Sequence, residues 1–501
     1  MPSTLGSQGL KDCELTGISE DSREVKKGYL FAALPGTFAD GRDYINDAVE
    51  KGAVAILLPE DGYNLDPKLM TKVAILKAPL ESIRKLTAQA ARLIYGEPDK
   101  NLIMVGVTGT NGKSTTLYLM ESILKEMGLA PGLMGTVGYS WEGEFVAAPN
   151  TTPEGPLLYR TLAQMVLSGV KSCVMEVSSH GLSLKRLAGL SFKVGLFTNL
   201  SRDHLDFHED MESYFRAKES LFLEHLTSLE GKKNCAVNID DPWGYKLYQK
   251  LGAGALSFGS QKGDLRIKEA SFSRKGIELK LISPWGDYEI RSQLLGSFNA
   301  MNLMGAAALG HLLGGEKEVI ARALSKSQGA PGRFSRVGSG ENYLVLIDYA
   351  HSPGALETVI NSAKSLAPIR LIVLFGCGGD RDRGKRPLMG KAASKGDIVI
   401  LTSDNPRTED PLEIIKDAEE GLIESGMRKV TESEAFGTKV YLSEVDRRKA
   451  IELGVRLMGA GDIFLICGKG HEDYQIIGRV KRPFDDRKEA QIALSALGKD
   501  N

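Results

Sequence analysis

Short apolar runs, each ending in glycine or polar residues and each followed by apolar positions at helical spacing, recur along the whole chain. This alternation predicts an α/β protein with mainly parallel sheets, since a buried parallel strand reads as a continuous apolar run and its crossover helix as a 3.6-residue stripe. In the first hundred residues the runs at 29–34, 53–58 and 72–77 predict strands. Helix-period stretches at 43–51 and 80–95 complete a small α/β domain. Residues 102–107 predict a buried strand, followed by three crowded glycines and a helix over 113–127. Strands at 171–176 and from Val194, a helix over 211–226 and an apolar helix opening near Gly296 extend this second region. Beyond residue 336, strands at 344–347, 370–375, 397–401 and 462–467 each end in a charged or glycine-rich loop, the pattern of a Rossmann-like doubly wound domain. No G-x-G-x-x-G opens its first crossover, so neither a nicotinamide nor a flavin is expected. Linker composition at Gly96-Glu-Pro-Asp-Lys100 and a turn at Pro331-Gly-Arg-Phe-Ser-Arg336 divide the chain into domains at 1–98, 99–336 and 337–501.

Composition narrows the class. A chain of 501 residues exceeds one hydrophobic core, in keeping with about three domains. The formal net charge of −1 offers no global attraction to nucleic acid or to an anionic membrane, so anions must be bound by local sites. Cys13, Cys173, Cys235, Cys377 and Cys467 lie far apart with no Cys-x-x-Cys pair, which fits a reducing cytoplasm. The N-terminus lacks a signal-peptide pattern, and no segment has the apolar length of a membrane span. Neither an internal repeat nor a low-complexity segment is present.

The candidate chemistry begins at Gly109-Thr-Asn-Gly-Lys-Ser-Thr115. A glycine loop between a buried strand and a helix turns backbone N–H groups and a helix N-terminus toward a phosphate. Lys113 can then reach the outer phosphates, and the Ser114 hydroxyl can hold Mg2+. The spacing departs from the usual P-loop, with Gly106 one residue early and Gly109 two late. ATP is nonetheless the expected ligand. In an open parallel sheet ligands gather outside the carboxyl ends of the strands, where Ser114, Glu176 and His204 are expected to meet the phosphate loop.

Other residues leave alternatives open. Glu176 follows Val174 and Met175, and is either a Mg2+ ligand or half of a buried salt bridge. Lys218, by its spacing, reads as an exposed lysine on an amphipathic helix. Asn299 and Asn302 share a helix face and either bind the nucleotide or cap and turn. Arg333 sits in a turn, free to reach a phosphate or nothing. The charged loop 376–386 is either mobile and solvated or, with Asp404-Asn-Pro-Arg407 and the loop from Gly468, part of one small-molecule site.

Taken together, Gly109 to Thr115, Asn150-Thr-Thr-Pro153, Glu176-Val-Ser-Ser-His180, Thr198-Asn-Leu-Ser-Arg-Asp-His-Leu-Asp206, Asp348-Tyr-Ala-His351 and Asp404-Asn-Pro-Arg407 resemble the Mur ligases over nearly the whole chain. The resemblance implies an N-terminal domain holding the UDP end of the substrate, a central ATPase, and a mobile C-terminal domain bringing an amino acid. It also implies amide formation through an acyl phosphate. The implied partners are UDP-N-acetylmuramoyl-L-Ala-D-Glu and meso-2,6-diaminopimelate, with ATP and Mg2+, in a monomer that engages neither nucleic acid nor membrane.

By the same resemblance Lys113, Glu176, His204 and Lys218 are catalytic. Ser114, Glu176, His204 and a carbamylated Lys218 serve the metal. Gly109, Thr110, Asn111, Gly112, Lys113, Ser114, Thr115, Asn299, Asn302, Arg333, Asp348 and His351 contact ATP. Ser22, Thr37, Phe38 and Ala39 hold the uridine end, and Asn150, Thr151, Thr152, Ser178 and Arg186 the muramoyl peptide. Leu184 departs from the family, which often has glutamine there. Arg381, Asp404, Asn405, Pro406, Arg407, Gly468 and Glu472 form the diaminopimelate pocket, Arg407 suiting the distal carboxylate and Glu472 the distal ammonium. The rival readings are a lysine-adding member of the family, a folylpolyglutamate synthase, and an ATP-driven switch that performs no ligation.

Overall fold

The structure, a computed structural model, describes residues 6–8, 14–36, 39–61, 63–229, 232–340 and 343–498. Contacts divide the chain into two compact units: residues 1–266, 283–285 and 304–323, and residues 267–282, 286–303 and 324–501.

In the first unit a five-stranded sheet runs in the order Gly6–Gln8, Ala74–Ala78, Ala53–Pro59, Tyr29–Ala32, Gly17–Ser19. All its pairs are parallel except the first. The expected strand at 72–77 begins at Ala74, because the Lys72 and Val73 amides close instead on Leu69 O, at 2.9 and 3.1 Å. Helix Leu80–Ile94 packs against helix Gly155–Leu167. Gly155 is needed at that crossing, since a Cβ there would lie 2.5 Å from Ala88 Cα.

A second sheet of this unit contains, in order, Leu256–Gly259, Cys235–Asn238, Val194–Phe197, Ile103–Thr108, Ser172–Glu176 and Pro131–Met134, all parallel. The antiparallel strands Tyr139–Trp141 and Glu144–Val146 finish that edge. Ile103–Thr108 is therefore central. Its register, Val107 opposite Glu176 and Thr108 opposite Phe197, brings the ends of three strands to one level. The crossover helices bury apolar stripes against the sheet, as with Leu117, Met120 and Leu124 of helix Lys113–Glu126.

The second unit is built on a seven-stranded sheet in the order Ser335–Gly340, Tyr343–Asp348, Asp462–Cys467, Leu371–Cys377, Ile398–Ser403, Val440–Ser443, Arg428–Lys429. It is parallel apart from its first pair. Apolar clusters cover both faces, which is why its strands read as unbroken Val, Ile and Leu runs. Asp348 pairs with Cys467 and Cys377 with Ser403, so the expected charged loops leave from one edge.

Cys173, Cys235, Cys377 and Cys467 are buried, and Cys13 lies outside the described residues. Among the described residues no helix is long and apolar enough to cross a membrane.

Arg447 and Asp486 form a fully buried pair in the second unit. Arg447 Nε and Nη2 donate to the two carboxylate oxygens at 2.7 Å, and Nη2 also donates to Cys467 O at 2.9 Å. Removing one member of such a pair strands the other charge in a medium that cannot solvate it. Asp486→Asn is expected to destabilise the fold by about 3–5 kcal/mol, read as a lower midpoint in denaturant unfolding. A loss below about 1 kcal/mol, the range of a solvated surface pair, would contradict the pairing.

Candidate active site

At the carboxyl end of Ile103–Thr108 the chain makes a tight turn. Gly109 and Gly112 have φ of 144° and 87°, values that disfavour any side chain, and a Cβ on Gly109 would meet Thr198 Oγ1 at 1.9 Å. Neighbouring strand ends hold the turn in shape. Thr110 N donates to Asn199 O at 2.8 Å, Asn111 N to Asn199 Oδ1 at 2.9 Å, and Thr198 Oγ1 to Asn111 O at 2.6 Å. Helix Lys113–Glu126 opens directly from the turn, with Ser114 and Thr115 buried in its first turn.

Two lysines meet at this loop. Lys113 Nζ donates to Gly109 O at 3.0 Å and Thr110 O at 2.9 Å, and Lys218 Nζ donates to the same Gly109 O at 2.9 Å. Lys218 is buried, contrary to the exposed position its spacing suggested. Its helix, Met211–Glu224, buries Tyr214, Phe215, Lys218, Leu221 and Phe222 on one face. Burial first, and then Lys113, pushes the Lys218 ammonium well below the usual lysine range.

Glu176 is buried, and its partner is not a cation. Oε1 accepts from Thr136 N at 3.0 Å and Oε2 from Thr136 Oγ1 at 3.1 Å, so the salt-bridge alternative does not hold. Thr136 was not singled out from the sequence. Gly135 makes room for the carboxylate, for a Cβ there would lie 2.4 Å from Oε1. His204, at φ 52°, lies edge-on to His180 with ring centroids 4.9 Å apart. Its pKa is lowered by burial, and Lys113 and Lys218 lower it further.

The residues expected at the muramoyl peptide lie beside Glu176. Thr152 Oγ1 donates to Glu176 O and accepts from Ser178 N, both at 2.9 Å, while Thr152 O accepts from Arg186 Nη1 at 2.9 Å. Thr151 Oγ1 lies 3.0 Å from Thr136 Oγ1, Asn150 O accepts from Tyr139 OH at 2.6 Å, and Ser178 Oγ caps the next helix through Gly181 N. Leu184 ends that short helix. In the N-terminal sheet region Ser22 is buried and its carbonyl accepts from Lys51 Nζ at 3.1 Å. Ala39 O accepts from Gly36 N at 3.0 Å, and Thr37 and Phe38 lie outside the described residues.

The second unit holds the other two sets. Asn299 Nδ2 donates to Leu295 O at 2.7 Å, and Asn302 Nδ2 to Asn299 Oδ1 at 2.8 Å. The Arg333 guanidinium carbon lies 4.7 Å from the Tyr349 ring centre, and the other neighbours of that ring are His351 and His471 at 4.6 and 5.0 Å. Asp348 accepts from the Phe334 and Ala350 amides at 2.7 Å, and burial raises its carboxyl to about 6.

Loops 376–386, 404–407 and 468–475 are joined by hydrogen bonds, which tie the first loop to its neighbours while residues 380–384 stay exposed. Gly379 N donates to Asn405 O at 2.9 Å, Thr408 Oγ1 to Asp380 Oδ1 at 2.7 Å, and buried Arg386 pairs with Glu409 and Asp417 at 2.8 Å. Arg407 Nη1 donates to Gly379 O at 2.8 Å, beside Gly378, whose missing Cβ would come within 3.0 Å of it. Pro406 precedes it in the loop, and Arg381 Nη1 bonds only locally, to Asp380 O at 3.0 Å. Asn405 Nδ2 donates to Glu472 Oε2 at 3.1 Å. Gly468, at φ 117°, leaves room for Asp404 Oδ2, an oxygen buried without a hydrogen bond. Lys469, missed from sequence, is fully buried: Nζ bonds Asn405 Oδ1 at 3.1 Å and Tyr474 O at 2.7 Å and lies 3.9 Å from both Asp404 and Glu472. Burial, and then Asp404, raises the Glu472 carboxyl.

Family models for the Mur ligase family catalytic domain, the Mur ligase middle domain and the Mur ligase glutamate ligase domain match residues 14–109, 107–310 and 332–470. UDP-N-acetylmuramoyl-L-alanyl-D-glutamate--2,6-diaminopimelate ligase of Geobacter metallireducens is 42% identical, over 99% of this chain and 97% of its own length. The enzyme of that name from Aquifex aeolicus is 41% identical over 97% and 94%. A solved structure of a ligase with the same name aligns at TM-score 0.66 and 33% identity, over 97% of this chain and 95% of that one. A MurF ligase structure from Thermotoga maritima shares the fold at TM-score 0.63 and 19% identity, over 97% and 99%. With both sheets, the phosphate loop and the loop cluster in place, this chain belongs to the Mur ligase family.

Proposed function

We propose that this chain uses ATP to join meso-2,6-diaminopimelate to the D-glutamyl γ-carboxylate of UDP-N-acetylmuramoyl-L-Ala-D-Glu, forming ADP and phosphate. The observation that carries the specificity is the Asp404 to Arg407 loop, bonded to Glu472 and Lys469 in a pocket of mixed charge. Diaminopimelate carries one more carboxylate than lysine, and a guanidinium fork meets a carboxylate through two charge-assisted hydrogen bonds. Buried Asp404 Oδ2 and the Glu472 carboxylate suit its ammonium groups. A lysine-adding enzyme would leave Arg407 without that partner.

The phosphate loop and Lys113 are placed to bind the triphosphate of ATP, with the helix N-terminus adding its partial positive charge. The D-glutamyl carboxylate attacks the γ-phosphorus, giving an acyl phosphate. The amine of the incoming amino acid then displaces phosphate through a tetrahedral intermediate. Two anions must approach to bonding distance, so positioning and charge neutralisation carry most of the catalysis. Thr152 and Arg186 are assigned to orient the peptide. Asn299, Asn302, Arg333, Asp348 and His351 are assigned to the nucleotide.

The donors suit Mg2+ in part. Glu176 offers buried carboxylate oxygens that accept from Thr136, and Ser114 a hydroxyl, while a lysine cation at Lys218 would repel the ion. Among the described residues no group of three or more His, Cys, Asp or Glu could hold a metal ion, and in this reading the nucleotide and a carbamate at Lys218 would supply the remaining donors. Mg2+ bound there would neutralise phosphate charge. Burial disfavours the Lys218 ammonium, which fits carbamylation: the neutral amine nitrogen attacks CO2 and loses one proton, leaving a carbamate whose oxygens are anionic donors. We assign the parts to domains 1–98, 99–336 and 337–501.

Phosphate release and product mass with each amino acid test the reading. Release should require meso-diaminopimelate, and equal release without an amino acid would favour a switch. Arg407→Lys is expected to lower kcat/KM for diaminopimelate by about 10- to 100-fold, the worth of a charged hydrogen bond. Activity restored with L-lysine as substrate would instead assign the loop differently. Carbon-13 NMR in labelled bicarbonate should show a carbamate carbon that Lys218→Met abolishes, with activity down by at least about 100-fold. An unchanged spectrum and rate would remove the modification from the mechanism.

A further inference from the structure

Arg84 lies on helix Leu80–Ile94, 70 residues from Glu154 in sequence, yet its Nη1 donates to Glu154 Oε1 at 2.9 Å and its Nη2 to Pro35 O at 3.3 Å. The same Glu154 oxygen lies 2.9 Å from Arg186 Nε, and Arg186 Nη1 is fixed on Thr152 O. Pro35 opens the loop assigned to the uridine end, whereas Arg186 and Thr152 are assigned to the muramoyl peptide. A path of hydrogen bonds and one ion pair therefore runs from Pro35 O through Arg84, Glu154, Arg186 and Thr152 to Glu176 O.

We infer that Arg84 and Glu154 are positioning residues for the UDP-muramoyl peptide, a strap that sets the spacing between the loop at its uridine end and the arginine at its peptide end. The inference rests on the substrate assignment above. Geometry separates it from an ordinary surface ion pair, which contributes ~0–1 kcal/mol and fixes nothing. One carboxylate oxygen here serves two guanidiniums, and both of those guanidiniums are anchored again on backbone carbonyls. Arg186 Nε makes the close approach without a hydrogen-bond angle. Its place is thus set by charge and by Thr152, an arrangement that can tighten when an anion arrives.

Glu20 adds a protonation dependence. Burial, and then Glu154, raises its carboxyl to about 8, while Arg84 and Arg186 act in the opposite sense and neighbouring Asp21 in the same one. Near neutral pH Glu20 is mainly protonated, and Glu154 is the carboxylate that both arginines meet. Above about pH 8 a second carboxylate competes for them and weakens the pull of Arg186 on an anionic substrate. Stability follows the same sign: the folded state holds a proton that the unfolded chain releases near 4.5, so stability is full below about 4.5 and falls toward about 8.

The test is steady-state kinetics of the full chain with UDP-N-acetylmuramoyl-L-Ala-D-Glu, ATP and meso-diaminopimelate, alongside calorimetric binding of the UDP substrate. Arg84→Met should raise KM and Kd for the UDP substrate about tenfold, with KM for ATP and diaminopimelate within about twofold, and Arg84→Lys should restore part of the loss. In an Arg186→Met background the Arg84 change should add less than about twofold, because the strap then has nothing to position. The wild-type KM for the UDP substrate should climb between pH 7 and 9, and Glu20→Gln should flatten that rise. Uniform changes in all three KM values, or a lowered Tm with unchanged kinetics, would reduce Arg84 and Glu154 to a structural contact. Failure of the wild-type chain to bind the UDP substrate would bring down the functional reading first. Normal wild-type binding with an unaffected Arg84→Met would overturn this inference alone.

Discussion

Two ammonium groups donating to one backbone carbonyl, Lys113 and Lys218 on Gly109 O, set the terms for the rest of the catalytic region. Cations so close, one of them buried, repel each other unless an anion joins them or one loses its proton. The phosphate loop supplies the setting for the first remedy and the burial of Lys218 for the second. Glu176, whose carboxylate oxygens accept from Thr136, is the side chain proposed to meet a metal. The parallel order of the sheet makes this possible, since three adjacent strands end at one level and deliver loop, carboxylate and histidine together.

The pocket proposed for the amino acid meets a different electrostatic constraint. Diaminopimelate carries two ammonium and two carboxylate groups, so its pocket must hold both signs without collapsing on itself. Asn405 provides the separation: its amide nitrogen faces Glu472 while its oxygen takes Lys469 and the Ile476 amide. Neutral dipoles between charges keep Asp404, Lys469 and Glu472 about 3.9 Å apart or more at their closest ion pairs. Behind them the buried Arg447–Asp486 pair holds Cys467 O at the strand end from which the last loop departs.

Much of this was legible in the residues, for reasons that differ by element. Buried parallel strands have to be apolar throughout, so those singled out were placed within one or two residues, with Ala74–Ala78 late only because the preceding helical turn captured two amides, whereas the short parallel strands Pro131–Met134, Cys235–Asn238, Leu256–Gly259 and Val440–Ser443 were not singled out. Lys218 was misleading from spacing alone, although it lies three residues after Phe215 and four before Phe222, on the stripe that the helix buries. The polar face of one turn looks like that of any other until a carbonyl from a distant loop meets it. Lys469 lay inside a recognised loop yet gave no sign that it would be its most buried charge.

The sequence by itself determined what depends on local chemistry: the strands and helices that its periodicity marks, the glycine-enforced turn after Ile103–Thr108, and the residue types of the loops at the strand ends. Periodicity and backbone sterics are properties of neighbours along the chain. Only the tertiary structure decided which charges share a partner. Gly109 O meets Lys218 across 109 residues, Glu154 joins Arg84 to Arg186 across 70 and then 32, and Asn405 reaches Lys469 across 64. Such pairings depend on burial and on sheet order, and charge energetics change several-fold with the dielectric around them. The sequence named the charged groups, and the fold set which of them must answer to one another.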